Sequence, residues 1–156
     1  MKLFVVAVGE RMPGWVDEAF AEYARRMPRR ARIELVQIRP APRRPTSSVA
    51  QALTAEAKRI CAALPARCRR VALDERGRTL TTAELARNME SWLAGGEDVA
   101  FLIGGPDGLA PELKHSAALT MRLSSFTLPH GLARVVLGEQ LYRALSILDH
   151  HPYHRE

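Results

Sequence analysis

The sequence predicts an α/β protein with a mainly parallel sheet flanked by helices. Three observations carry that expectation. Apolar runs of strand length alternate with segments whose apolar residues recur at helical spacing, the pattern of strands joined by crossover helices. The chain has 156 residues, 47% hydrophobic and 26% charged, which is enough for one ordinary buried core. Glycine and proline punctuate these segments without forming a linker or a repeat, so residues 1–156 are expected to fold as a single domain. The same composition excludes general disorder, a collagen-like fibre and a disulfide scaffold. No apolar run is long enough to span a bilayer.

Lys2–Val8 is a continuous apolar run stopped by Gly9, as expected of a buried strand. After Pro13 and Gly14, Val16, Phe20, Tyr23 and Met27 recur at helical spacing. Ile33–Ile38 alternates as a second strand. Ser48 and Gln51 predict a capping box that opens a helix with Val49, Leu53, Ala57, Ile60 and Leu64 on one face. Val71–Leu73 is a short third strand. Thr81 and Glu84 predict a second capping box, and the helix after it buries Leu85, Met89 and Trp92. Val99–Ile103 reads as a central strand, Pro111 as the first turn of a short helix, and Leu119–Leu123 as a fifth strand.

Gly131–Asp149 is a long final helix whose apolar residues cover more than half its circumference: Leu132, Val136, Leu137, Leu141, Ala144, Leu145, Ile147 and Leu148. A terminal helix that apolar has two surfaces to cover, and a homodimer interface is the expected second one.

The net charge is +6, unevenly spread. Residues 1–70 hold fifteen Lys/Arg against six Asp/Glu, a balance of +9, whereas residues 71–156 hold eight against eleven, or −3. Eight arginines and one acid, Glu34, lie within Arg25–Arg44. Such a stretch suits a polyanion, because each guanidinium that meets a phosphate releases condensed counterions. The chain reaches Glu10 and Arg11 before any signal-peptide core forms, so a cytoplasmic location is expected. Cys61 and Cys68 read as idle thiols. His150, His151 and His154 are close in sequence, but Pro152 interrupts the helix that would align them, so no metal is expected.

Three turns follow predicted strands: Leu73-Asp74-Glu75, Gly104–Gly108 and Ser124–His130. In open α/β sheets ligands bind beyond the carboxyl ends of the strands. The glycine turn has neither the Walker A nor the dinucleotide spacing, so it names no ligand.

The motifs Phe101-Leu-Ile-Gly-Gly-Pro-Asp-Gly-Leu109, Ser125-Phe-Thr-Leu-Pro-His130, Glu139-Gln-Leu-Tyr-Arg-Ala144 and His151-Pro-Tyr-His-Arg155 stand in a fixed order. Together with Lys2–Gly9, Tyr23-Ala-Arg25 and Leu73-Asp74, they resemble the ribosomal RNA large subunit methyltransferase H family of the SPOUT superfamily across essentially the whole chain. That family methylates N3 of a pseudouridine in 23S rRNA. The resemblance implies a C-terminal deep trefoil knot within about residues 71–156, S-adenosyl-L-methionine as cofactor, and an active site at a homodimer interface. It implies a cofactor pocket of Leu73, Gly104, Gly105, Leu123, Ser124, Ser125, Phe126, Thr127 and Leu128. A neutral imidazole suits removal of the imide proton, so His130 and His154 are the candidate bases or proton relays. Tyr153 would stack on or hydrogen-bond the target base; Arg134, Arg143 and Arg155 would hold phosphate or base oxygens. Arg25 and Arg26 join them as candidate RNA contacts on the basic stretch. Gly138 departs from the family, which has a bulkier apolar residue there. The expected partner is 23S rRNA within the assembled ribosome, with no membrane. The competing readings are a non-catalytic RNA-binding or ribosome-assembly protein and a SPOUT methyltransferase acting on tRNA.

Overall fold

The computed structural model describes residues 1–155. Five strands form one sheet: β1 (Lys2–Val8), β2 (Arg32–Ile38), β3 (Cys68–Thr79), β4 (Asp98–Ile103) and β5 (Leu119–Arg122). Their order is β2-β1-β4-β3-β5, and every pairing is parallel. The helices between and after them are α1 (Gly14–Arg26), α2 (Val49–Ala63), α3 (Thr82–Gly95), α4 (Pro111–Ser116) and α5 (His130–Leu148), and a 3-10 turn spans Pro152–His154.

The pleat of β1 divides the interior into two layers. Leu3, Val5 and Ala7 join a cluster with Phe20 of α1, Met89 and Trp92 of α3, and Leu137, Leu141 and Leu145 of α5. Phe4, Val6 and Val8 point the other way, onto Ala57 and Ile60 of α2 and Leu113 of α4. Strands buried on both faces are continuous apolar runs for this reason. Both predicted capping boxes form. The Ser48 hydroxyl accepts from the Gln51 N–H at 3.1 Å, and the Thr81 hydroxyl from the Glu84 N–H at 3.2 Å.

The structure corrects several details. The third strand is longer than Val71–Leu73: after Leu73 its register against β5 shifts, and pairing resumes at Arg78 and Thr79. The polar run between has no apolar alternation to reveal it. Val49 is exposed because it occupies the first turn of α2, where Ala52, Glu56, Ala57 and Ile60 face inward. On α5, Leu137, Leu141, Ala144 and Leu145 are buried, while Leu132, Val136, Ile147 and Leu148 stay half-exposed. Gly138 is explained by packing. A Cβ there would lie 3.3 Å from the Phe20 ring, so glycine lets α1 lie close against α5.

Candidate active site

The connection from β1 leads to β2 on one side, and that from β4 leads past β3 to β5 on the other. The connections therefore lead to opposite sides between the parallel neighbours β1 and β4, a switch point of the topology. A cleft of about 760 Å³ opens where these two strands end, completed by the end of the first part of β3 and by residues 122–128. Its apolar walls include Val8, Leu73, Ile103, Leu123 and Leu128.

Gly9, which stops β1, has φ +140°, a conformation that L side chains rarely adopt. The turn after β4 doubles back on itself. The Gly108 N–H donates to the Gly105 carbonyl at 2.9 Å, and a Cβ on Gly104 would lie 2.3 Å from the Gly108 carbonyl carbon. Asp74 and Lys114 form an ion pair at 3.0 Å on the cleft wall, and the Arg76 N–H donates to the same carboxylate at 2.8 Å. Burial pushes the Asp74 carboxyl up, but these two donors outweigh it and hold the group below its ordinary range. The Phe126 N–H donates to the Ser124 hydroxyl at 2.9 Å, while the Phe126 ring stands 82% exposed at the rim.

The arginine-rich segment after β2 is strapped to this cleft. The Arg43 guanidinium bonds the buried Glu56 carboxylate at 2.5 Å and Asp107 of the glycine turn at 3.0 Å. The Ala41 N–H donates to the same Glu56 oxygen at 3.0 Å. Sequence reasoning missed this arrangement, because its members are far apart in the chain.

His130 opens α5 at the back of the cleft. Its Nδ1 lies 3.0 Å from the Gly104 carbonyl, and its Nε2 lies 3.0 Å from Nε of Arg134. A carbonyl only accepts and a guanidinium only donates, so Nδ1 carries the proton and Nε2 holds the lone pair. Burial, then the nearby Arg134 charge, depresses the His130 pKa below its usual value. Arg134 itself has no exposed surface, and its Nη2 donates to the Gly9 carbonyl at 2.8 Å. Its guanidinium faces the interior of the chain, unlike those of Arg25, Arg26 and Arg155.

The tail residues gather elsewhere. His150 takes a positive φ of 52° at the end of α5, and the chain folds back so that the Tyr153 hydroxyl donates to Glu139 at 3.1 Å. The Tyr153 ring packs on Tyr142 with centroids 4.7 Å apart, beneath the Arg143 guanidinium at 4.9 Å. Burial, with Tyr23 and Glu139 alongside, raises the Tyr153 pKa. His154 Nδ1 is buried and has no hydrogen-bond partner among the described residues. Arg143 also bonds Glu139, at 2.7 Å, half-buried rather than on an exposed face. Arg155 is exposed. Arg25 and Arg26 are exposed at the end of α1, both paired with Glu22, and Arg26 lies 5.9 Å from the Tyr142 ring.

One chain therefore assembles two groups. Leu73, Gly104, Gly105, Leu123, Ser124, Phe126, Thr127, Leu128 and His130 line the cleft, while Ser125 does not. Tyr153 and His154 sit against the far half of α5. Glu139 follows His130 by nine positions on α5, a rise of about 14 Å. Among the described residues no group of three or more His, Cys, Asp or Glu could hold a metal ion. Burial raises the Cys68 thiol to about 11, which leaves it unreactive.

The profile of a family described as "Predicted SPOUT methyltransferase" matches residues 1–154. The chain belongs to the SPOUT methyltransferase family. Its SPOUT relatives named "Ribosomal RNA large subunit methyltransferase H" include one from Bordetella pertussis, 57% identical over 155 residues and 99% of both chains. Another, from Laribacter hongkongensis, is 53% identical over the full length of both. Two solved structures share the fold at low identity. A chain from a study titled "Structural insights into the 2-OH methylation of C/U34 on tRNA" aligns at TM-score 0.53, 18% identical, over 96% of this chain and 98% of that one. TrmJ from Z. mobilis ZM4 aligns at TM-score 0.53, 14% identical, over 92% and 68%.

Proposed function

We propose that this SPOUT methyltransferase transfers a methyl group from S-adenosyl-L-methionine to N3 of a pseudouridine in 23S rRNA, on the assembled ribosome and as a homodimer with a knotted C-terminal part. The observation that carries the reading is identity above 50% along the whole chain to proteins named for large-subunit rRNA methylation.

The cleft suits the proposed cofactor in size and chemistry. Leu73, Leu123 and Leu128 offer apolar faces to an adenine ring, and the backbone at 104–105 and 123–128 offers groups for its edge. When bound, the cofactor supplies an activated methyl on a sulfonium. The protein's share is to hold the nucleophile in line with that methyl, to exclude water and to take the imide proton. His154 is the candidate base of the two, because both ring nitrogens of His130 are engaged.

The tail and the cleft are apart in one chain, which supports a composite site: the cleft of one copy with Tyr153, His154, Arg155 and Arg143 of a second. The half-exposed α5 strip of Leu132, Val136 and Ile147 is the surface such a copy would cover. Arg25 and Arg26, with the rest of the basic stretch, would then contact RNA backbone.

The test is methyl transfer from labelled S-adenosyl-L-methionine to ribosomes lacking the modification, followed by nucleoside mapping. Label on N3 of pseudouridine in ribosomes, with little on naked 23S rRNA, is the expected result. Label on tRNA alone, or none, overturns the proposal.

A further inference from the structure

His130 reads from the sequence as a proton acceptor, yet its imidazole is occupied on both sides. The Nδ1 proton goes to the Gly104 carbonyl and the Nε2 lone pair takes the Arg134 N–H, each at 3.0 Å. Accepting a substrate proton at Nε2 would require Arg134 to withdraw, and Arg134 is fully buried with its Nη2 tied to the Gly9 carbonyl. The three anchors matter more than the ring. Gly9 ends β1, Gly104 ends β4, and His130 and Arg134 lie one helical turn apart on α5. The relay Gly9–Arg134–His130–Gly104 therefore ties together the three segments that meet at the back of the cleft.

Two further observations fit a brace. Gly104 has no space for a side chain, so its position can be held only through its backbone, and the His130 bond supplies that hold. Arg134 is a buried cation with no carboxylate in salt-bridge contact among the described residues, and its Nη1 has no hydrogen-bond partner among them. A group that costly to bury needs a structural return.

We propose that His130 and Arg134 are positioning residues for the methyl-donor cleft, with His130 holding the Gly104 turn rather than accepting the substrate proton. This rests on the methyltransferase reading above. The donor and acceptor atoms of a carboxamide are spaced much like the two imidazole nitrogens, so an amide side chain can replace the bridge without any proton chemistry.

The experiment compares His130→Ala, His130→Asn and His130→Gln with the wild type. Donor affinity is read by calorimetry with S-adenosyl-L-methionine, and kcat on unmodified ribosomes is read at saturating donor from mildly acidic to alkaline pH. Thermal melting identifies any variant that has not folded. The expected result is that alanine weakens donor binding about tenfold, on the scale of one or two lost hydrogen bonds. At least one amide should recover most of that loss, with an unchanged pH profile of kcat. If both amides bind donor as the wild type does, yet lose kcat as alanine does, His130 is a base and the proposal falls. It also falls if alanine leaves donor affinity untouched. A wild-type protein that neither binds donor nor methylates ribosomes overturns the underlying reading instead.

Discussion

A methyl group at Gly104 would meet the backbone of Gly108, not a side chain that could swing away, so the turn itself must move. Gly104→Ala should therefore cost about 2 kcal/mol or more and abolish donor binding. At Gly108 nothing lies near a built Cβ, and only its φ of +77° is at stake, so Gly108→Ala should be the milder change, about 1–2 kcal/mol. Denaturant melts of the two variants check the order, and equal losses would contradict the backbone collision. His130 makes a prediction of its own. Its pKa is depressed in the fold, so between that value and the unfolded pKa of about 6.5 the unfolded chain binds the extra proton. The His130 contribution is fully present above about pH 6.5 and is lost as pH falls through that window. His130→Asn should flatten this part of the stability curve, as read by urea titrations on either side of the window. An unchanged slope would show that the imidazole is not held neutral by its neighbours.

At α2 a cap and a strap can be compared on one helix. Ser48→Ala removes a cap bond and should cost about 1 kcal/mol. Arg43→Ala leaves the buried Glu56 carboxylate with only the Ala41 N–H and releases the glycine turn at Asp107. Partial exposure of Arg43 moderates the loss, but about 2 kcal/mol is expected, more than the cap. Thermal melts under one buffer rank them, and the reverse order would make the strap a surface ornament. The same contrast explains what was legible in the sequence. Both capping boxes join residues three apart, and β1 is a run of adjacent apolar residues, so local pattern finds them. The strap joins positions 43, 56 and 107, and the register shift after Leu73 depends on β5; neither leaves a local trace. The cleft turns were legible as the ends of apolar strands. The burial of Arg134 leaves no local trace either, because charge on a helix suggests solvent, whereas this guanidinium turns inward to the Gly9 carbonyl, 125 positions away in the chain.

Across the whole molecule, charge and chemistry are divided. The +9 of residues 1–70 resides on β1, α1, β2, α2, their connections and the start of β3, while the glycine turn, residues 122–130 and the tail come from the half with −3. Charge reversal at the exposed Arg39 and Arg44 should raise KM for ribosomes, with a smaller dependence on salt, more than it lowers kcat. A fall in kcat alone would place that face in the chemistry. The separation of the cleft from Tyr153 and His154 leads to the most demanding test of the proposed dimer. Thr127→Trp should block the cleft from an exposed rim position, and a Tyr153→Ala, His154→Ala double variant should disable the tail; each alone should be inactive. If every site pairs one copy's cleft with the other's tail, a heterodimer of the two variants contains one wholly intact site and one doubly broken site. Random pairing on co-expression makes half the dimers mixed, so about a quarter of the sites should work, where either variant by itself gives none. If each site drew its cleft and its tail from the same chain, no combination of the two variants could yield an intact site, and methyl transfer to ribosomes would stay at background.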